Sequence, residues 1–329
     1  MIWRLIIFFI IFLALILGVF LFIASRTDYS DGDPAWGVTF SPTYSEELGY
    51  NYREVYLAML DDLGITHMRL PSYWDRIEKT PGNFDFDELD WMVKEASARD
   101  VKIIMAIGQR QPRWPECHFP AWVEKLPKPN REDRVLKFIE KVVQRYQEEG
   151  SIVMWQLENE PLLNVFGECP HSDTEFLKRE YELVKSLDTR PIMTTESGEL
   201  STWVRIAGMA DILGVSLYRV TYNRYFGYMY YPLTPSHYYN KMRLVAPLVE
   251  KTICTELQTE PWATASITEM SHQEMAEGMT LDMIKTNMDF AKRSGFPEVY
   301  LWGVEWWYYM KDVHNDSSYW DEMKKNWKK

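Results

Sequence analysis

The order of apolar segments along the chain predicts an α/β protein, a (β/α)8 TIM barrel preceded by one N-terminal transmembrane helix. Three observations carry this. Short apolar runs alternate with longer amphipathic ones, eight short runs can be counted, and the first two dozen residues are almost wholly apolar. Strands that alternate with helices pair in parallel, and eight such units in about 250 to 300 residues are the repeat of a closed barrel. An open doubly wound sheet is the competing arrangement, but no G-x-G-x-x-G follows the first strand.

Leu5 to Ala24 is an unbroken run of 20 apolar residues behind Arg4. At about 1.5 Å per residue, a helix of that length spans the roughly 30 Å hydrocarbon layer. A cleaved signal peptide has a shorter apolar core and ends in an A-x-A-like site, which Ile23-Ala24-Ser25 matches poorly. Residues 1–24 are therefore predicted to be a signal anchor, with Arg4 and the α-amino group in the cytoplasm and the rest of the chain extracytoplasmic, or secreted if the segment is cleaved. Residues 25–34 carry three Asp, one Gly and one Pro without apolar periodicity and read as a linker. The folded domain is expected over 35–329.

Within it the strands are expected at Trp36–Phe40, His67–Leu70, Lys102–Ile107, Ile152–Leu157, Ile192–Thr195, Ile212–Leu217, Thr252–Thr255 and Val299–Trp302. Between the third and fourth, Val135, Leu136, Phe138, Ile139, Val142, Val143 and Tyr146 recur at helical spacing, which predicts a helix over 131–149 after Asn130 and before Gly150. Another is predicted over 271–294, stopped by Gly295 with Pro297 beyond.

Composition limits the partners. Hydrophobic residues at 46% and charged residues at 26% describe a folded globular chain. A net charge of -12 repels a phosphate backbone, so no nucleic-acid partner is expected. Aromatic residues at 15% supply flat apolar faces with polar edges, which suit sugars and also fill cores. Three cysteines, Cys117, Cys169 and Cys254, are too few for a disulfide scaffold. Cys117-His118 and Cys169 with His171 are the single zinc candidate, at spacings unlike those of structural zinc, so no metal and no cofactor are assigned.

In a barrel the residues just past the strand C-termini line the active face. Here they include Arg69 and Trp74, Gln109 and Arg110, Glu158, Asn159 and Glu160, Glu196, Tyr218, Glu256, and then Trp302, Glu305 and Trp306. Two carboxylates from different strands are the minimum for acid-assisted displacement at an acetal carbon, because one protonates the leaving oxygen while the other meets the oxocarbenium-like centre. Glu160 and Glu256 form that pair. Glu260, four residues later and before Pro261, is the rival nucleophile. Glu158, Glu196 and Glu305 read either as subsite ligands or as ordinary loop carboxylates.

Trp155-Gln156-Leu157-Glu158-Asn159-Glu160-Pro161 resembles the fourth-strand signature of clan A glycoside hydrolases. Arg69-Leu70-Pro71, Trp74, Arg76-Ile77-Glu78, Pro81-Gly82 and Phe84-Asp85-Phe86 resemble the clan's beta-galactosidase-like and cellulase-like members, as do Cys254-Thr255-Glu256 and Leu301-Trp302-Gly303. The resemblance implies Glu160 as acid/base and Glu256 as nucleophile of a retaining glycosidase. It also implies Asn159 as donor to the sugar 2-hydroxyl, Arg69 and Tyr218 as partners of the nucleophile, and Trp302 as the platform under the reacting sugar. Gln109 and Ser216-Leu217-Tyr218 stand where cellulase-type members present His and His-x-Tyr. Trp74 and Trp306 complete the expected carbohydrate contacts.

The expected function is hydrolysis of a β-linked glycoside or oligosaccharide without a cofactor. The alternatives are a catalytically silent carbohydrate-binding barrel and a transglycosylase. Seven aromatics between Tyr218 and Tyr231 form either a wall of sugar subsites or a satellite core. Cys117 and Cys169, on adjacent loops of one face, either form a disulfide or remain free thiols, and Cys254 reads as a buried thiol.

Overall fold

The computed structural model describes residues 2–24, 32–223 and 225–327. Among the described residues ten strands follow in chain order: β1 (Ala35–Thr39), β2 (His67–Pro71), β3 (Lys102–Ile107), β4 (Ile152–Leu157), β5 (Ile192–Glu196), β6 (Ile212–Leu217), β7 (Val220–Asn223), β8 (Gly227–Tyr230), β9 (Lys251–Gln258) and β10 (Glu298–Trp302). Eight of them close a barrel in the order β1-β10-β9-β6-β5-β4-β3-β2, every neighbouring pair parallel, while β7 and β8 form a separate antiparallel hairpin. All eight predicted strands are present, within a few residues of the expected ends.

Alternation along the strands sorts the core into two parts. Ile103, Met105 and Ile107 of β3 face outward into the large core shared with the helices, whereas Ile104 faces inward. Ile104, Met154, Met193, Ile212, Ile253 and Tyr300, one from each of six strands, plug the barrel interior. Two glycines make room for that plug. A Cβ at Gly37 would lie 2.7 Å from the Tyr300 ring, and one at Gly214 would lie 2.7 Å from the Thr195 and Thr255 methyls. Above the plug the inward positions turn polar, with Arg69 on β2 and Gln156 on β4 both fully buried. That switch marks the floor of the site.

Strand β9 departs from alternation. Cys254 and Leu257 both join the outer core although they are three residues apart, and the pairing shifts register here against both neighbours. A bulge at Thr255–Glu256 absorbs the extra residue. It turns Glu256, which strict alternation would place on the outer face with Cys254, toward its partner Ser216 on β6.

Two helix expectations are corrected. The helix over 131–149 begins earlier, at Lys128, with Pro129 in its first turn, and ends at Tyr146. A proline at that place has no amide to lose and a φ already suited to the helix. The helix over 271–294 is two, His272–Gly278 and Leu281–Arg293. Met279 is extended and Thr280 caps the second helix by accepting from the Met283 amide, so the chain breaks at Gly278 and restarts.

The N-terminal helix runs over Ile2–Ala24. Among the residues described in full, no helix is long and apolar enough to cross a membrane. Side chains at 2, 5, 6 and 19–24 of that helix lie outside the description, as do residues 25–31 of the expected linker.

Candidate active site

Arg69 organises the floor. Its Nε donates to Gln156 Oε1 at 2.5 Å and its Nη2 to Asn159 Oδ1 at 2.5 Å, while Nη1 donates to the Thr255 carbonyl at 3.3 Å and to Glu256 Oε1 at 2.8 Å. One cation thus ties β2, β4 and β9 together. Glu256 accepts on its second oxygen from the Tyr218 hydroxyl at 3.0 Å. A guanidinium on one oxygen and a phenol on the other suit an anionic carboxylate.

Glu160 meets a different environment. Its Oε1 accepts from Ser216 Oγ at 2.9 Å, and its backbone amide donates to Thr195 Oγ1 at 2.8 Å. Burial, then the neighbouring charges of Glu256 and Glu116, push its pKa well above the ordinary carboxyl value. The two carboxyls are therefore set apart, Glu256 bonded by a guanidinium and a phenol and Glu160 beside a neutral hydroxyl and disposed to keep a proton.

The turn that presents Glu160 is strained. Glu158 and Glu160 both have left-handed backbones, with φ of 56° and 45°, which costs roughly 1–2 kcal/mol per non-glycine residue. Surrounding bonds hold it. The Glu158 amide donates to Ile107 O at 3.0 Å and the Asn159 amide to Arg110 O at 2.7 Å.

Both carboxyls open on a cavity of about 440 Å³, whose walls also include Tyr218, Glu260, Trp262 and Trp302. Its size suits one or a few sugar rings. Trp302 ends β10 and lies against Arg113, whose guanidinium carbon is 4.1 Å from its ring and 4.0 Å from that of Tyr44. Gly303 beyond it has φ 141°, and a Cβ there would lie 2.9 Å from that of Glu260.

Of the residues predicted for the site, Glu160, Glu256, Tyr218 and Trp302 line the cavity, and Arg69 and Asn159 sit buried behind them. Trp74 and Trp306 do not belong there. Trp74 opens the short helix Trp74–Ile77 and turns away from the barrel mouth, stacking on Phe138 at 5.4 Å and donating to Glu78 Oε2 at 2.7 Å. Trp306 lies in the helix Val304–Val313, fully buried against Tyr319 at 4.7 Å. Both follow a strand end in sequence, but each starts a helix whose apolar face needs a large side chain for the core.

Glu260 is engaged by Arg113, which also donates to Glu305 Oε2 at 2.9 Å. Glu305 is fully buried, and its pKa is pushed up to about 7, chiefly by burial. Glu158 faces the β3 loop, accepting from the Gln109 and Arg110 amides at 2.9 and 2.7 Å. Of the seven aromatics from Tyr218 to Tyr231, only Tyr218 and Tyr231 line the cavity. Tyr225, Phe226 and Tyr230 are more than two-thirds exposed at the β7–β8 hairpin, while Tyr222 and Tyr228 pair edge-to-face at 5.2 Å.

Cys117 and Cys169 are joined, with Cα atoms 5.3 Å apart, and Cys254 is a buried free thiol. The bond removes two sulfurs from the zinc candidate, and among the described residues no group of His, Cys, Asp and Glu is placed to hold a metal.

Sequence reasoning missed Ser216, Arg113, Glu116 and Glu199. Ser216 had a signal, since it lies at the end of β6 two residues before Tyr218, where the resemblance places the His of a His-x-Tyr motif. Glu199 accepts from the Tyr218 amide at 3.0 Å and the Tyr238 hydroxyl at 2.5 Å. Its pKa is pushed up to about 7 by burial. Arg113 and Glu116 lie in an irregular loop with φ of 86° and 72°, where no periodicity operates.

A closed parallel barrel with two carboxyls past β4 and on β9, at the C-terminal face, defines the class of clan A glycoside hydrolases. Within that class the chain belongs to the family Glyco_hydro_42, Beta-galactosidase, whose pattern matches residues 44–210. It is 23% identical over 192 residues to Beta-galactosidase BgaA of Clostridium cellulovorans, a match covering 51% of this chain and 29% of that protein. The chain thus spans less than a third of that curated relative. Among solved structures, it resembles the exo-beta-1,4-mannosidase Op5Man5 from Opitutaceae bacterium strain TAV5 with a TM-score of 0.57 at 14% identity, covering 85% of this chain and 53% of that one. It also resembles the beta-galactosidase from the psychrophilic Marinomonas ef1 with a TM-score of 0.55 at 13% identity, covering 81% and 53%. At such identities these two likenesses concern the fold.

Proposed function

We propose that this chain is a retaining glycoside hydrolase cleaving a β-linked glycoside or oligosaccharide, with Glu160 as acid/base and Glu256 as nucleophile. The observation that carries the reading is the unequal setting of two buried carboxyls on one cavity. Glu256 is held by Arg69 and Tyr218, and Glu160 has a raised pKa and a neutral hydroxyl partner. In the first step Glu256 attacks the anomeric carbon while Glu160 gives its proton to the departing glycosidic oxygen. Ionised Glu160 then draws a proton from water, which attacks the same carbon and releases the sugar with Glu256 restored. Family membership makes a β-galactoside the first substrate to try. A sugar acceptor in place of water would make the same centre a transglycosylase. A silent binding barrel has no use for the paired settings of the two carboxyls.

The reading places the barrel outside the cytoplasm on a membrane anchor. Support comes from the 20-residue apolar run behind Arg4 and from the exposed apolar side chains of the N-terminal helix, such as Phe8, Phe12 and Leu15. The Cys117–Cys169 bond fits an oxidising compartment.

Hydrolysis of 4-nitrophenyl β-D-galactoside and related aryl glycosides by the full chain tests the function, with the anomer first released read by NMR. Glu256→Gln is expected to lose on the order of 10³-fold or more in kcat. Glu160→Gln is expected to spare the first step with good leaving groups and to be rescued by azide. A 2-deoxy-2-fluoro glycoside should label Glu256. Labelling of Glu260 would overturn the assignment, and wild-type protein that binds sugars without turnover would favour the silent barrel.

A further inference from the structure

Glu116 is a third carboxyl on the cavity, outside the acid and nucleophile pair. Its Oε2 accepts from Asn159 Nδ2 at 2.9 Å. The other end of the same amide is fully engaged, since Asn159 Oδ1 accepts from Arg69 Nη2 at 2.5 Å and from Thr195 Oγ1 at 3.0 Å. Arg69 and Thr195 therefore set where the Asn159 oxygen lies, and Glu116 sets where its nitrogen points. An amide nitrogen carries two hydrogens, so one remains for a ligand while the other is held.

The loop is built to keep Glu116 there. Its backbone is left-handed at φ 72°, its amide donates to Arg113 O at 2.7 Å, and its carbonyl accepts from the Gln111 amide at 2.7 Å. Its side chain packs on Gly167, where a Cβ would lie 2.8 Å from its own. The next residue, Cys117, is bonded to Cys169 on the loop after β4. A strained, buried, cross-linked loop is a costly support for a carboxyl that does nothing.

We infer that Glu116 is a positioning residue of the reaction centre, one that aims the Asn159 amide at the hydroxyl beside the anomeric carbon and couples electrostatically to the acid/base. This rests on the glycosidase reading above. The groups facing Glu116 are Glu256 from β9, Arg69 from β2, Glu160 after β4, and Arg110 from its own loop, whose Nε is 3.9 Å away and buried without a hydrogen-bond partner. Burial and the charge of Glu256 push the Glu116 pKa up to about 8. When Glu116 ionises it adds a second anion beside Glu160 and helps raise the acid's pKa. A neutral residue at 116 removes that help, so the alkaline limb of kcat/KM, where the acid loses its proton, moves to lower pH.

The experiment compares wild type, Glu116→Gln and Glu116→Ala on a parent aryl β-glycoside and its 2-deoxy analogue, with pH profiles of kcat/KM and melting curves. Glu116→Ala is expected to lose roughly ten- to a hundredfold in kcat/KM on the parent, the scale of leaving one buried amide donor unpaired, and far less on the 2-deoxy analogue. Glu116→Gln keeps an acceptor for Asn159 and is expected to shift the alkaline limb downward. If Glu116→Ala does not fold, the Glu116→Gln profile decides. An unmoved limb, or equal losses on both substrates, overturns the role of Glu116 while the glycosidase reading stands. Wild type inactive on every glycoside overturns both.

Discussion

Removing the Cys117–Cys169 bond should cost stability and activity together. The bond closes a span of 52 residues, and in the chain-entropy model a loop of that length stabilises the fold by about 4 kcal/mol. For a domain of this size, with an unfolding entropy of about 2.1 cal/mol/K per residue, that corresponds to a melting shift of about 6 °C. The functional loss follows from what the bond adjoins. Glu168 donates its amide to Pro115 O at 2.9 Å, and Arg110 Nη2 donates to Phe166 O at 2.8 Å, so the two loops are stitched twice ahead of the cystine and Glu116 lies between the Pro115 stitch and the disulfide. The double variant Cys117→Ser/Cys169→Ser should therefore melt several degrees lower and hydrolyse aryl glycosides with reduced kcat/KM. Urea unfolding of wild type with and without reductant measures the first effect. Thiol titration of the unfolded, unreduced protein should find one thiol, Cys254. Three thiols, or a melting temperature indifferent to reductant, would refute the reasoning.

Other expectations separate site from support. Trp306→Ala should cost about 3–5 kcal/mol in unfolding free energy, as for a large buried aromatic, whereas Trp302→Ala should cut kcat/KM with a smaller loss of stability. Arg69→Met leaves Glu256 buried without its cation, so it should destabilise by about 3–5 kcal/mol in a urea titration and abolish turnover; stability like that of wild type would sink the account of the floor. Glu180, fully buried beside Glu158 with no donor to either oxygen, has a pKa raised well above the ordinary value by burial. A raised folded pKa gives stability that is present at low pH and is lost as pH rises through it. Glu180→Gln should therefore gain in melting temperature relative to wild type as pH increases, and a difference independent of pH would contradict this.

Much of this protein is fixed locally and is legible along the chain. Eight apolar runs alternating with amphipathic ones determine the barrel, because a strand buried on both faces and a helix buried on one leave different periods in the sequence. The turn after β4 is legible too, since Glu158, Asn159 and Glu160 are contiguous. Interactions distant in sequence are not written this way. Trp74, Trp302 and Trp306 have the same side chain and similar strand-end positions, and only the packing of the following helices sends the first and last into the core. Glu116 reaches Asn159 across 43 residues from a loop without periodicity. The bulge in β9 is the clearest case. Alternation places Glu256 on the outer face with Cys254, and the register forced by closing β9 between β6 and β10 inserts one residue and turns the carboxylate inward to Arg69 and Tyr218. Sequence determines which residues can enter the site, and the closure of the barrel, a constraint on all eight strands at once, decides which side chains point into it.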